Sequence, residues 1–113
     1  MDTENMVYRS HVMNTDVDRA IRAEATRRSS PAGVIFRLYL ETGLAQFELE
    51  VPLPEAVDEE ACPLRAFHIY VHTDEHLRVL CYQRNFERSD LVARLLRLGM
   101  LTLEMTRKGS RGH

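Results

Sequence analysis

Tryptophan does not occur in this chain, and lysine occurs once, as Lys108; the other fourteen basic residues are arginine. A bias of that kind points to a GC-rich coding background of bacterial, archaeal or phage origin more than to chemistry. Cysteine is scarce. Cys62 and Cys81 have no CxxC spacing, which excludes a disulfide framework or a paired-cysteine zinc site and fits two free thiols in a reducing cytoplasm. Five glycines, with no GxG among them, exclude a dinucleotide fingerprint and a phosphate loop. No apolar run approaches the roughly 18–20 residues of a spanning helix, and no basic start leads into an apolar core, so neither a membrane span nor a secretory signal is expected.

What is present is an ordinary globular composition: 113 residues, 44% hydrophobic and 28% charged, with a net charge of -2. One domain with a real core is expected. The near-neutral total hides a segregation. Residues 1–44 carry six basic and six acidic groups, residues 45–75 one basic and eight acidic, and residues 76–113 eight basic and three acidic. The acidic middle contains three prolines between Pro52 and Pro63. Proline removes backbone donors and disfavours helix in the residue before it, so 52–63 reads as a surface loop between two halves. Residues 107–113 read as a flexible basic tail.

Two helices stand out. Residues 16–28 place Val17, Ala20, Ile21 and Ala25 on one stripe, with Asn14 or Thr15 as cap, Asp16 and Asp18 in the first turn and Arg27 and Arg28 in the last. Residues 89–99 start at Ser89, build a face from Leu91, Val92, Leu95, Leu96 and Leu98, and meet a stop signal at Gly99. Residues 46–53 and 66–72 alternate apolar and polar side chains as half-buried strands do. Residues 100–106 and 7–13 are weaker strand candidates. Residues 34–40 and 77–82 satisfy both periods, and their β-branched and aromatic content favours strand. The fold expected from these readings is α+β: a small antiparallel sheet of four to five strands with two helices packed on one face.

If 34–40 and 77–82 are helical instead, the chain becomes two copies of strand–helix–helix. Ala25 then aligns with Cys81, Ile35, Phe36 and Leu40 with Leu91, Val92 and Leu96, and Gly43 with Gly99. The run Arg88-Ser-Asp-Leu-Val-Ala-Arg-Leu-Leu-Arg-Leu-Gly99 resembles the second helix of the ribbon-helix-helix family, and the resemblance covers about residues 7–44 and 66–99. It implies a two-stranded DNA-binding ribbon whose outward residues enter the major groove. Carried over by position, those are His68, Tyr70 and His72, with Arg9 and His11 in the first copy. The second copy is two residues short between strand and first helix.

Sites for chemistry are few. His72-Thr-Asp-Glu75-His76 matches the H-x-x-E-H string of the inverted zincins, which resemblance implies a zinc hydrolase; placed after a strand, the string also reads as a polar hairpin turn. His68 and His72 on one strand face lie about 13 Å apart, too far to share a metal. Cys81, in an apolar run, reads as a buried inert thiol. Arg84, Arg88, Arg94 and Arg97 read as a grip for an anion or an acidic partner, or as a solvated helix face.

With no catalytic constellation and no cofactor or metal motif carried through, the leading expectation is a small non-enzymatic cytoplasmic protein. It would act by protein–protein contact, as an inhibitor or regulator of bacterial or phage type, with a homodimer among the expected assemblies. His68, Tyr70, His72 and the four arginines are its candidate binding residues. The alternative is a DNA-binding transcriptional regulator built on the tandem repeat, with the zinc hydrolase as a remote third reading.

Overall fold

A computed structural model describes residues 5–111, with side chains through Arg107. The element order is β1 (Met6–Val12), α1 (Thr15–Arg28), α2 (Ala32–Glu48), β2 (Leu64–Tyr70), α3 (Val71–Arg84) and α4 (Arg88–Arg111). This overturns the sheet of four to five strands with two helices. Among the described residues there are four helices, and the only sheet is the antiparallel pair β1–β2. The α+β class stands; the layer count does not.

The correction has a plain cause. Segment 34–40 is apolar on nearly every residue, so alternation and helical spacing are both present. The helix wins because Ile35, Phe36, Tyr39, Leu40, Gly43 and Leu44 all become buried on one broad face. Leu77 and Leu80 do the same for α3. Residues 46–48 are the last turn of α2, and the alternation through Leu53 continues into an irregular connection whose Glu50 sits at φ 67°. Residues 100–106 are helix: Met100 and Leu103 face the core, whereas Leu101 and Met105 are exposed. Gly99 does not end α4, which passes straight through it. The helix runs into the stretch read as a basic tail, of which residues 112–113 lie outside the described part.

The helices repeat at a spacing of 56: Ile21 with Leu77, Ile35 with Leu91, Leu40 with Leu96, Leu44 with Met100. Most of these residues form the buried core. At its centre α2 crosses α4, and the two glycines make the crossing reciprocal. A Cβ on Gly43 would lie 2.0 Å from the carbonyl oxygen of Leu95, and one on Gly99 would lie 1.9 Å from that of Tyr39. Only glycine permits this approach. Ser29 and Asn85, also 56 apart, end α1 and α3 in the left-handed conformation.

The two strands pair from Met6↔Tyr70 through Arg9↔Phe67 to Val12↔Leu64. Arg9↔Phe67 is the midpoint, so a pseudo-twofold axis passes there and relates each β1 position to the β2 position 58 residues on. The spacing exceeds that of the helices by two. Met13 and Asn14 separate β1 from α1, whereas α3 follows β2 with no residue between. The connection from α2 back to β2 is held by side chains. Arg94 donates from Nε to the carbonyl of Pro54 at 2.8 Å, and Asn14 donates from Nδ2 to the carbonyl of Val57 and to Glu59, both at 3.0 Å. Glu59 also accepts the Thr15 backbone N–H at 2.9 Å. The first helix is thus capped by the acidic connection rather than by its own Asn14.

Candidate functional site: the two-stranded ribbon

Side chains alternate across a strand, so each face of the ribbon is defined by the register. The helix-facing side carries Val7, Arg9 and His11 from β1 and Arg65, Phe67 and Ile69 from β2. Ile69 is fully buried, and Val7 and Phe67 pack against the core. Phe36 of α2 is the anchor, with its ring centroid 4.6 Å from Phe67 and 4.7 Å from His11.

Two arginines on this inner side are drawn to carboxylates of the opposite repeat. Arg9 of β1 donates to Asp74 of α3 from Nε at 3.3 Å and Nη2 at 3.0 Å. Arg65 of β2 holds Asp18 of α1 through two bonds of 3.0 Å. Asp18 and Asp74, 56 apart, are equivalent on their helices, but the arginines that reach them are not: the axis places Arg9 on Phe67 and Arg65 on Val7. Arg88 at the start of α4 also binds Asp74, and Arg22 also binds Asp18. Hydrogen bonding to Arg65 holds the Asp18 carboxyl below its ordinary range, and bonding to Arg9 and then Arg88 does the same for Asp74. Such bridges fix the strands to the helices and use up the guanidinium groups nearest the ribbon.

His11 is 5% exposed and its Nε2 has no hydrogen-bond partner. Burial, reinforced by Arg88, lowers its pKa to about 4, so it is neutral at pH 7.

The outer side carries Met6, Tyr8, Ser10 and Val12 opposite Tyr70, His68, Ala66 and Leu64. Tyr8 is 64% and Leu64 65% exposed. None of these side chains is Lys, Arg, Asp or Glu. Arg37 of α2 sits beside the Tyr70 end of this face: it donates to the carbonyl of His68 at 3.0 Å and lies 5.9 Å from the Tyr70 ring.

The residues picked out from the sequence separate accordingly. His68 and Tyr70 lie on the outer face, and His68 stands 4.7 Å from the Tyr8 ring. His72 lies in the first turn of α3, not on a strand, and stacks on Tyr70 at 5.4 Å. Arg9 and His11, carried over as outward, face inward; Tyr8, Ser10 and Val12 hold the outward positions. The four arginines do not come together. Arg84 lies over the Phe47 ring at 5.3 Å, Arg88 binds Asp74, Arg94 reaches Asp90 and the Pro54 carbonyl, and Arg97 grips Asp16 through bonds of 2.8 and 2.7 Å.

The string His72–His76 is helical rather than a turn. Its members diverge: His72 goes to Tyr70, Glu75 binds Arg78, and His76 Nε2 lies 3.9 Å from Glu48. Among the described residues, no three His, Cys, Asp or Glu side chains gather as a metal-ion group. Cys81 is half-buried rather than buried, and what burial it has raises the thiol pKa, which disfavours the reactive thiolate. No described helix is long and apolar enough to cross a membrane. No protein-family model matches the chain, and neither a curated protein nor a solved structure matches it.

Proposed function

We propose that the chain is a DNA-binding regulator that lays its two-stranded ribbon in the major groove. One observation carries this reading: among the described residues no second layer covers the outer face of β1–β2, which stands on two helix pairs related by a pseudo-twofold axis. Strands lie about 4.8 Å apart, and the major groove, about 12 Å wide, admits a two-stranded ribbon. The tandem strand–helix–helix order, and with it the resemblance to the ribbon-helix-helix family, supports the same reading. Both strands come from one chain, so the reading unit forms without a partner subunit.

Arg65 and Arg9 of the ribbon are committed to Asp18 and Asp74, and the chain is net acidic. Phosphate contacts are therefore few, and the salt dependence of binding will be shallow. The test is fluorescence anisotropy with a pool of random duplexes at low salt. Binding is expected, and Tyr8→Ala with His68→Ala lowers affinity by about tenfold, one good base contact, with an unchanged circular-dichroism melt. No binding to any duplex at low salt overturns the reading.

The absence of Lys, Arg, Asp and Glu from the outer face favours a second reading, contact with a protein surface, because interface cores are depleted in those residues. In that case the same double substitution weakens capture of a protein partner while duplex DNA has no effect.

A further inference from the structure

The pseudo-twofold axis at Arg9↔Phe67 divides the outer face into two halves with different chemistry. On one side lie Tyr8, His68 and Tyr70, with Met6 at the end and the Arg37 guanidinium close by. On the other lie Ser10, Ala66, Val12 and Leu64. Three of the four pairs related by the axis differ in chemistry: Tyr8 falls on Ala66, Ser10 on His68 and Val12 on Tyr70, whereas Met6 and Leu64 are both aliphatic. A ribbon made from two identical chains must present the same side chains to both half-sites. This one, folded from a single chain, does not.

We infer that the ribbon reads a non-palindromic DNA sequence with thymine concentrated in the half under Val12, Ala66 and Leu64. The inference rests on the DNA-binding reading above and specifies its substrate. Guanine is read by arginine or lysine and adenine by asparagine or glutamine, each through paired hydrogen bonds, whereas an apolar side chain meets the thymine methyl group. The aliphatic half has none of the four polar readers. Its one polar side chain, Ser10, accommodates any base. Val12 and Leu64 are exposed there and have methyl-bearing groups to offer. The aromatic half instead presents two phenol hydroxyls and an imidazole, which donate and accept hydrogen bonds, so its preferred bases differ. Orientation on the duplex follows: the chain binds one way round, and an inverted half-site is not equivalent.

The experiment is selection of bound duplexes from a random pool with the full chain, followed by replacement of thymine by deoxyuridine in the selected site. Deoxyuridine keeps the base pair and removes only the methyl group. A non-palindromic motif is expected, with a thymine cluster at one end. Each methyl removed there costs about fourfold in affinity, the value of one buried methylene-sized group; replacement at the other end has little effect. Val12→Ser with Leu64→Ser abolishes the deoxyuridine effect, and because both sites are exposed the fold survives. A palindromic motif, a guanine-rich cluster under the aliphatic half, or affinity indifferent to deoxyuridine overturns the inference while leaving DNA binding intact. Failure to select any sequence overturns the DNA-binding reading itself.

Discussion

The two repeats, 6–48 and 64–111, are nearly the same object at the helix crossing and different objects at the ribbon. At the crossing, Gly43 meets Leu95 and Gly99 meets Tyr39 in mirrored contacts, and buried apolar residues recur every 56 positions. At the ribbon, His11 stands where the axis places Ile69, and Arg9 faces Phe67. The difference follows from packing. Two helices in backbone contact tolerate no added atom, so both sides of the crossing are held to the same solution. Among the described residues the outer strand face meets His72 and Arg37 at its Tyr70 end and is otherwise exposed or half-buried, so its two halves are free to diverge, and the inner face takes in Arg9 and Arg65 where Asp74 and Asp18 stand behind it.

The largest test of the shared half of this comparison is Gly43→Ala against Gly99→Ala. Alanine is the better helix former by nearly 1 kcal/mol, so an unpacked helix would gain. Here each new methyl meets a carbonyl oxygen at about half the normal contact distance. The helices must separate, and a loss of about 3 kcal/mol is expected for either substitution. Denaturant melts check it. Equal losses confirm that the repeats share one crossing; a loss at one glycine only breaks the equivalence.

His11 against Ile69 gives the next largest effect. The folded-state pKa of about 4 lies below the ordinary imidazole value. The unfolded chain therefore binds a proton that the native state refuses, and stability falls as pH drops from about 6.5 toward 4. Between pH 7 and pH 5 the loss is about 2 kcal/mol. His11→Ile makes the first strand resemble the second and removes this slope. Urea titrations of both proteins at pH 7 and 5 decide it. A variant that keeps the full slope would show that the imidazole is not its source.

Much of this architecture was legible in the sequence, and the unreadable parts share a cause. The stripe of α1, the face of α4 and the alternation of β2 are each one-sided patterns, so their period is unambiguous. The segments at 34–40 and 77–82 lie in apolar runs, which satisfy two periods equally. The 56-residue repeat separates them, because Ile35 and Phe36 inherit the helical face of Leu91 and Val92. The faces of β1 were read backwards. The ribbon-helix-helix resemblance places Arg9 and His11 outward by position, and what turns them inward is Asp74, 65 residues from Arg9, together with Phe36. No local pattern carries that information. The outward Tyr8, Ser10 and Val12 were findable only by fixing the register to β2 first.

The smallest effect concerns how each repeat starts its first helix. α3 grows directly out of β2 with Tyr70 at its cap position and no side-chain cap. α1 is separated from β1 by two residues, and its first turn is closed by Glu59, which accepts the Thr15 N–H and the Asn14 amide. Hydrogen bonding to Thr15 holds the Glu59 carboxyl below its ordinary range, so this contribution is present above the unfolded carboxylate value near 4.5 and is lost as pH falls through the lower folded value. Glu59→Ala removes the cap and frees the connection, and a lower denaturation midpoint is expected. Glu59→Gln keeps an acceptor and should recover part of it. Amide hydrogen exchange separates the outcomes: protection falls at residues 15–18 and not at 71–74 if the acidic connection serves the first repeat only. Equal loss in both would mean that Glu59 acts through the whole core, and the asymmetry of the helix starts would then carry no energetic weight.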